Sequence, residues 1–142
     1  MSVKRTIGIV ACSKSKLTRA APAQDIYQGL LFRLARKRVE ATCDAWCILS
    51  AAHGVTMPEQ VVAPYDQTLK MMSVQERREW AAEVHADLVK KFGANARYIV
   101  YAGLPYRAAL VGLECEVPLE GLGIGQQIQK LQQMLREGGC SG

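Results

Sequence analysis

Four short apolar segments alternate along the chain with stretches of helical periodicity, and this alternation constrains the fold more than any other feature. The apolar segments are Thr6–Ala11, Ala45–Leu49, Arg97–Tyr101 and Cys115–Leu119. The first is rich in β-branched residues and lacks polar alternation, as expected for a strand that is buried on both faces. The order predicts the α/β class, with residues 1–142 forming a single three-layer domain. Its mostly parallel central sheet should have about four strands covered by helices.

The helical stretches carry start and stop signals. Helices are expected over 29–41, from Ser73 to Gly93, over 106–113 and at the end of the chain. Ser73 and Glu76 have the spacing of a capping box, in which two side chains satisfy free backbone N–H groups. In the last helix one apolar face is expected, formed by Ile124, Ile128, Leu131 and Leu135. The stretch from Val55 to Leu69 is expected to be a long irregular loop, and Pro118 should confine the fourth strand to an edge, or stand at its end.

Composition excludes several classes of protein. The chain has 142 residues, 49% of them hydrophobic, which excludes intrinsic disorder. Its longest apolar run, 48–55, is far shorter than the roughly 20 residues that a membrane-spanning helix needs. The N-terminus is a poor signal peptide, so we expect a cytoplasmic protein without a membrane partner. The net charge of +5 favours an anionic partner such as a nucleotide or nucleic acid.

The cysteines predict neither a disulfide framework nor a metal site. They are odd in number and form no Cys-x-x-Cys pair: Cys12, Cys43, Cys47, Cys115 and Cys140. Most of them are expected to be small buried hydrophobes in a reducing compartment. We predict no metal and no cofactor, and the sequence does not indicate an oligomeric state.

The exits of the four predicted strands are the expected place of a ligand site, because open parallel sheets bind ligands beyond the carboxyl ends of their strands. These exits cover 12–16, 50–54, 101–107 and 120–126, and each carries polar, glycine or ionisable residues. The loop with Tyr65 and Asp66 follows the second strand and is expected to fold over the same edge. The sequence therefore predicts a polar pocket at this edge of the sheet.

Three residues are candidates for catalysis. Lys16 would bind an anion or activate the transferred group, His53 would act as a base near neutral pH, and Asp66 would accept a hydrogen bond from a ring. His53 is equally compatible with a structural hydrogen bond in its loop. His85 flanks the apolar stripe of its helix and is interpreted as structural.

The remaining candidates would contact substrate. They comprise Cys12, Ser13, Lys14, Ser50, Tyr65, Tyr101, Gly103, Tyr106, Gly121, Gly123 and Gln126. The tyrosines supply flat aromatic faces for a heterocycle, and the lysine supplies a cation for a phosphate or carboxylate. Cys12 fits either a nucleophile or a buried small hydrophobe. The Gly-x-Gly-x-Gly run that ends at Gly125 fits either a phosphate cradle before a helix or plain turn chemistry.

Several motifs together resemble a bacterial and phage family of small uncharacterised domains. They are Ile-Val-Ala-Cys-Ser-Lys-Ser-Lys16, Asp25-Ile-Tyr-x-Gly29, Ile-Leu-Ser50-Ala-x-His-Gly54, Ala-Pro-Tyr65-Asp66 and Pro-Leu-x-Gly-Leu-Gly-Ile-Gly125. That family is similar to the peroxide-stress protein YaaA and to the Cys-Ser-x-x-Lys domain of archaeosine synthase, which acts on a deazaguanine base in tRNA. The latter domain is similar to the uracil-DNA-glycosylase fold. The resemblance implies that Cys12, Ser13 and Lys16 form a turn that contacts a base or its modifying group. The chain lacks the Gly-Gln-Asp-Pro-Tyr sequence of uracil glycosylases.

Two functions follow as hypotheses. The first is an enzyme that acts on a nucleobase, nucleoside or nucleotide, in glycosylase- or transferase-like modification or removal of a base, with DNA or RNA as a further partner. The alternative is a non-catalytic DNA-binding or stress-response module resembling YaaA. In that case the basic helix with Arg33, Arg36, Lys37 and Arg38 would hold phosphates.

Overall fold

Strands and helices alternate along the chain in the computed structural model, which describes residues 4–14 and 16–139. The strands are β1 (Thr6–Ala11), β2 (Ala21–Pro22), β3 (Ala45–Ser50), β4 (Gly54–Thr56), β5 (Val61–Val62), β6 (Arg97–Tyr101) and β7 (Glu114–Glu116). The helices are α1 (Ala23–Ile26), α2 (Leu30–Thr42), α3 (Val74–Phe92), α4 (Leu104–Arg107) and α5 (Ile124–Gly139). Short 3₁₀ turns cover Leu69–Met71 and Ala108–Leu110.

The central sheet has five strands in the order β4-β3-β1-β6-β7. β1 pairs in parallel with both β3 and β6, and β6 pairs in parallel with β7. The predicted mostly parallel sheet is thus confirmed, and β7 lies at an edge as Pro118 suggested. From β1 the chain passes to β3 on one side and later to β6 on the other. Such a doubly wound sheet has its topological switch point between β1 and β6, at the carboxyl ends of these strands.

Side chains of the central strands alternate between two apolar clusters, one on each face of the sheet. Ile7 and Ile9 of β1 belong to the cluster that contains Trp80, Val84 and Leu88 of α3. The other cluster combines β1 with α2 and α5 through Val10, Phe32, Val39 and Leu131. Full burial of such side chains contributes about 1.5–3 kcal/mol each. The helices therefore cover both faces of the sheet and leave its carboxyl edge to the loops.

The helix α2 packs closely on β1 at Gly8. A Cβ atom added there would lie 2.6 Å from Cβ and Cγ1 of Val39 and 3.2 Å from Cβ of Trp46. Such distances are shorter than van der Waals contact, so the absence of a side chain at Gly8 allows the helix to approach the strand.

The prediction of an irregular loop after the second strand is wrong in part. β4 turns back after three residues and pairs antiparallel with β3, from Ser50 opposite Gly54 to Ile48 opposite Thr56. Gly54 has a φ of 67°, which allows the reversal, and the β-branched residues that follow favour a strand. β5 pairs with β2 in a separate two-stranded sheet.

The helix predicted over 106–113 is also displaced. The chain becomes helical at Leu104, where Pro105 suits a first turn because it needs no hydrogen-bonded N–H. It tightens into the 3₁₀ turn and ends at Leu110.

The predicted start and end of α3 are confirmed, whereas the predicted apolar face of α5 is confirmed only in part. Ser73 and Glu76 form the capping box of α3, with Glu76 N donating to Ser73 Oγ at 3.1 Å and Ser73 N donating to Glu76 Oε1 at 2.9 Å. Gly93 ends this helix with a φ of 91°. In α5, Leu131 is fully buried, whereas Ile124 is 67% exposed and does not belong to the buried face.

The cysteines differ from one another in their surroundings. Cys47 is fully buried, and this burial raises the pKa of its thiol to about 12. Cys12 and Cys43 are half-buried and Cys115 is exposed, so the expectation of mostly buried cysteines is wrong for these residues. Cys140 lies outside the described residues. No helix in the described part of the chain is long and apolar enough to cross a membrane.

Candidate functional site

A cavity of about 430 Å³ opens at the carboxyl ends of β1 and β6. This position is the topological switch point of the sheet, where doubly wound folds bind their ligands. Its walls are mostly apolar and include Leu31, Val100, Tyr101 and Leu119. Pockets of roughly 300–1,000 Å³ with apolar walls and a few polar groups are typical of small-molecule sites. The cavity therefore has the place and size of a ligand site.

Positive electrostatic potential is expected at one side of this cavity. The first turn of α2 borders it through Leu30, and the N-cap residue of that turn, Gly29, has no side chain to cap it. Unpaired N–H groups at a helix N-terminus carry partial positive charge. Lys14, on the turn that follows β1, adds an ammonium group to the lining. An anionic group is thus favoured near these residues.

The turn after β1 is held in place at both ends. Cys12 N donates to Leu49 O at 3.0 Å, and Leu17 N donates to Ile26 O at 2.8 Å. Between them, Ser13 Oγ accepts a hydrogen bond from Gly29 N at 3.2 Å. Hydrogen bonds to the backbone therefore fix the position of the turn that forms this wall of the cavity.

A network of hydroxyl groups lies beside the cavity and is centred on Tyr65. Its phenol oxygen lies 2.7 Å from Tyr27 Oη and 2.7 Å from Ser50 Oγ. Lys16 Nζ lies over the Tyr65 ring, 4.4 Å from the ring centre, in a cation–π arrangement. The His53 ring meets the same tyrosine edge-on at 5.1 Å. Tyr65 thus joins the exits of β1 and β3.

The hydrogen bonds of Ser50 have a determined direction. Its Oγ accepts from Ala52 N at 3.2 Å and from His53 N at 3.0 Å. A hydroxyl group has two acceptor lone pairs and one hydrogen. Because both lone pairs are occupied, the hydroxyl hydrogen of Ser50 must donate to the Tyr65 oxygen. Ser50 is fully buried, so its side chain holds the tyrosine and the turn after β3.

Cys12 connects the cavity to this network. It lines the cavity, its Sγ lies 3.4 Å from Tyr106 Oη, and it is close enough to Tyr65 for its charge to act on that phenol. Burial raises the pKa of Tyr65 and of Tyr106, and the negative charge of an ionised Cys12 would raise the pKa of both further. Both phenols therefore keep their protons at neutral pH and can act as hydrogen-bond donors.

The structure brings most predicted site residues to one edge of the sheet. The cavity is lined by Cys12, Ser13, Lys14, Tyr101 and Gly103. The network contains Lys16, Ser50, His53, Tyr65 and, through Cys12, Tyr106. His85 lies elsewhere, with Nδ1 3.0 Å from Ala109 O, as its structural interpretation predicted.

Four predicted residues lie outside both groups. Asp66 is exposed and makes no side-chain hydrogen bond or ion pair within the described residues. Gly121 has a φ of 81° and serves a turn. Gln126 Oε1 accepts from Gly123 N at 3.2 Å, so these two residues cap α5 locally. The neighbouring Gln127, which the sequence did not single out, lines the cavity instead.

Two aromatic residues of the network were missed as site residues. Tyr27 is 1% exposed and hydrogen-bonds to Tyr65, although its segment was among the motifs of the family resemblance. Trp80 donates from Nε1 to Ser50 O at 3.0 Å and packs edge-on against Tyr106. Its position in the apolar stripe of α3 hides this polar contact from a sequence pattern.

The basic helix α2 uses two of its four cations within the fold. Arg36 donates to Gln24 O at 2.7 Å and pairs with Asp25 and Glu40. Arg38 NH1 lies 3.5 Å from the backbone oxygen of Met134. Arg33 and Lys37 are exposed. The helix therefore offers fewer available cations than its sequence suggests.

Side chains that commonly ligate metals do not cluster in the part of the chain that is described. No group of three or more His, Cys, Asp or Glu residues there is arranged to hold a metal ion. The groups available at the site are thus hydroxyls, a thiol, an imidazole and ammonium groups.

Comparison with known proteins identifies relatives without a described activity. Residues 7–133 match DUF6884, a family of unknown function. The uncharacterized protein YfjM of Bacillus subtilis (strain 168) is 27% identical over 147 residues, covering 91% of this chain and 94% of YfjM. No solved structure matches the chain. The function must therefore be argued from the site.

Proposed function

We propose that this chain, which belongs to the DUF6884 family of unknown function, is an enzyme that acts on a nucleobase, free or as part of a nucleoside or nucleotide. The observation that carries the proposal is the cavity at the switch point between β1 and β6, with Cys12 and its phenol partners at one wall. The reaction is a modification or removal of the base, of the glycosylase or transferase type.

The lining of the cavity suits a planar heterocycle. Apolar side chains, among them Leu31 and Leu119, cover the faces of a ring. Ser13 and Gln127 add polar side chains to the same lining, and Gln127 is held there by a hydrogen bond from its Nε2 to Leu122 O at 2.8 Å.

The cationic side of the cavity suits a phosphate. Lys14 and the uncapped first turn of α2 lie at the same wall, and helix N-termini bind phosphate through free N–H groups. This arrangement supports a nucleotide as ligand, with its phosphate near Lys14 and its base against the apolar walls.

The groups beside the cavity suit proton transfer. Tyr106 and Tyr65 are protonated donors next to Cys12, and His53 and Lys16 contact the Tyr65 ring from other sides. Positioned donors of this kind stabilise charge that develops on a ring nitrogen or exocyclic oxygen. In this proposal Cys12 contacts the base and the two tyrosines supply hydrogen bonds.

The likeness of the Cys12 turn to the Cys-Ser-x-x-Lys domain of archaeosine synthase supports the choice of a nucleobase. We also propose that the chain is similar to YaaA and that its fold is like that of uracil-DNA glycosylases.

A thermal-shift screen of free bases, nucleosides and mononucleotides tests the proposal. A ligand at 100 times its Kd stabilises the folded state by about 2.7 kcal/mol, which gives a measurable rise in Tm. Lys14→Ala should weaken the shift for nucleotides but not for bases, whereas Lys37→Ala, an exposed lysine on α2, should leave both unchanged. Mass spectrometry of the incubated ligands then reports any change of the base.

Two outcomes contradict the proposal. If no base, nucleoside or nucleotide raises Tm, the cavity is not a nucleobase site. If duplex DNA binds without any such ligand, and Arg33 and Lys37 are required for it, the alternative DNA-binding module is favoured.

A further inference from the structure

A second groove lies between α3 and α4, on the other side of α4 from the cavity. Its volume is about 520 Å³, and it is lined by Val74, Arg77, Arg78, Ala81, Leu104, Pro105 and Ala108. Two of its apolar side chains are well exposed, with Leu104 at 74% and Val74 at 56%. The groove thus combines an apolar floor with two guanidinium groups.

The charges of α3 are segregated around this groove. At about 100° per residue, Val74, Arg77, Arg78 and Ala81 fall within one sector of the helix. Glu76, Glu79 and Glu83 fall on the opposite side. Arg77 and Arg78 are exposed and make no ion pair with any side chain that the structure describes. The groove face therefore presents positive charge that no side chain in the described part of the chain neutralises by an ion pair.

The groove and the cavity are neighbours in the fold. Gly103 lines the cavity, and the next two residues, Leu104 and Pro105, line the groove. Tyr106, in the same turn of helix, contacts Cys12 at the cavity wall. The cavity lies on the face of α2 and α5 and the groove on the face of α3, so a ligand longer than one nucleotide would reach both by passing over α4 at the carboxyl edge of the sheet.

We propose that the groove binds the nucleotide next to the one in the cavity, so that the substrate is a single-stranded segment of nucleic acid. This inference rests on the proposed function, because the cavity must take the base for the groove to take its neighbour. Arg77 and Arg78 bind the phosphate backbone, and the apolar floor around Leu104 packs against the sugar or base of that neighbour. An acidic peptide would match the arginines but would not account for the adjoining cavity.

The test is the binding of a fluorescent single-stranded oligonucleotide of about ten nucleotides, measured by anisotropy over a range of salt concentrations. The charge-reversed double variant Arg77→Glu/Arg78→Glu should weaken binding by about tenfold or more. Loss of two phosphate contacts should also reduce the steepness of the salt dependence: the negative slope of the logarithm of the binding constant against the logarithm of salt concentration should shrink in magnitude by about 1.4. The thermal shift given by a mononucleotide should stay as in the unaltered protein, because the cavity is intact.

The matched control is Arg33→Glu/Lys37→Glu, which makes the same change of charge on α2, a helix that borders the cavity but not the groove. Equal losses of oligonucleotide affinity in the two double variants would mean that only net charge matters and would overturn the inference. So would an unaltered protein that does not bind the oligonucleotide. Leu104→Ser is a milder variant that keeps the charges and should also weaken binding.

Two further results separate the possible explanations. If an acidic peptide of the same charge competes as well as the oligonucleotide, the groove is a peptide site and the inference is wrong. If the oligonucleotide binds through Arg77 and Arg78 but no mononucleotide shifts Tm, the groove binds nucleic acid and the proposed role of the cavity fails.

Discussion

Removal of the Ser50 hydroxyl tests how much the hydrogen bonds at the site contribute to stability. Ser50 Oγ accepts from the N–H groups of Ala52 and His53 and donates to Tyr65 Oη at 2.7 Å. Ser50→Ala therefore removes three hydrogen bonds from a fully buried position. It leaves the volume of the core almost unchanged, so the effect reports hydrogen bonding.

The expected cost follows from what each former partner can do afterwards. A hydrogen bond contributes about 0.5–1.5 kcal/mol to stability, and a buried group that loses its partner costs about 1–3 kcal/mol. Ala52 and His53 are exposed, so their N–H groups regain hydrogen bonds with water. Tyr65 keeps Tyr27 as a partner. We therefore expect the free energy of unfolding to fall by about 2–3 kcal/mol, near the lower end of what three lost bonds allow.

Urea unfolding, followed by circular dichroism, measures this change through the midpoint concentration at constant slope. Thr56→Val is the matched control, because Thr56 is also fully buried but donates one hydrogen bond, to Gly54 O at 3.3 Å. It should cost about 1 kcal/mol or less. A double-mutant cycle of Ser50→Ala with Tyr65→Phe should show a coupling of about 1 kcal/mol, because the two hydroxyls bond to each other.

Two results would refute the reasoning. If Ser50→Ala costs no more than Thr56→Val, the serine does not hold the turn and the tyrosine. If the cycle shows no coupling, the hydroxyls of Ser50 and Tyr65 do not hydrogen-bond to each other, and the network centred on Tyr65 is wrong.

Two further predictions concern the scaffold. Gly8→Ala should destabilise the protein by about 1–3 kcal/mol, because the added Cβ would overlap Val39. The control is Gly125→Ala in α5, where an added Cβ meets no atom within 4 Å, so this variant should have little effect or stabilise the protein. Equal urea midpoints of the two variants would contradict the close packing at Gly8. The backbone and side-chain hydrogen bonds from Ser73 lower the pKa of Glu76 below its ordinary value of 4.5. The stabilisation from the Glu76 carboxylate is therefore present above that value and is lost as the pH falls through the lowered pKa. The difference in Tm between the unaltered protein and Glu76→Gln should shrink over this range, and a constant difference would exclude the charged capping box.

The sequence predicted the features of the fold that depend on neighbouring residues. β1 is a short segment rich in β-branched residues, and the start of α3 is specified by two side chains three residues apart, Ser73 and Glu76. β4 was missed because three residues are too few to show a periodicity, and its pairing with β3 depends on a turn made possible by Gly54. Local patterns thus predict elements, whereas short edge strands depend on the partner strand.

The candidate site shows the same limit at the level of single residues. The segment with Tyr65 and Asp66 was expected at the carboxyl edge, and Tyr65 lies at the centre of the network while Asp66 is exposed. Successive side chains of an extended segment point in opposite directions, so one of the two must face outward. In α5, likewise, Gln127 lines the cavity and Gln126 caps its own helix. A sequence locates such segments but does not show which neighbour faces the site.

Tyr27 could not be predicted as a site residue, because its hydrogen-bond partner, Tyr65, lies 38 residues away in the sequence. Its hydroxyl group nevertheless helps to decide which groups of the network donate and which accept. The Ser50 oxygen has no free lone pair, since two backbone N–H groups occupy it. Tyr27 is fully buried, so an undonated hydroxyl hydrogen there would be costly, and the Tyr65 oxygen, 2.7 Å away, is the acceptor in reach. Tyr65 then accepts from both Ser50 and Tyr27. The hydroxyl hydrogen of Tyr65 is therefore the one that Ser50 and Tyr27 do not take up, so Tyr65 is the donor that this network leaves beside the cavity.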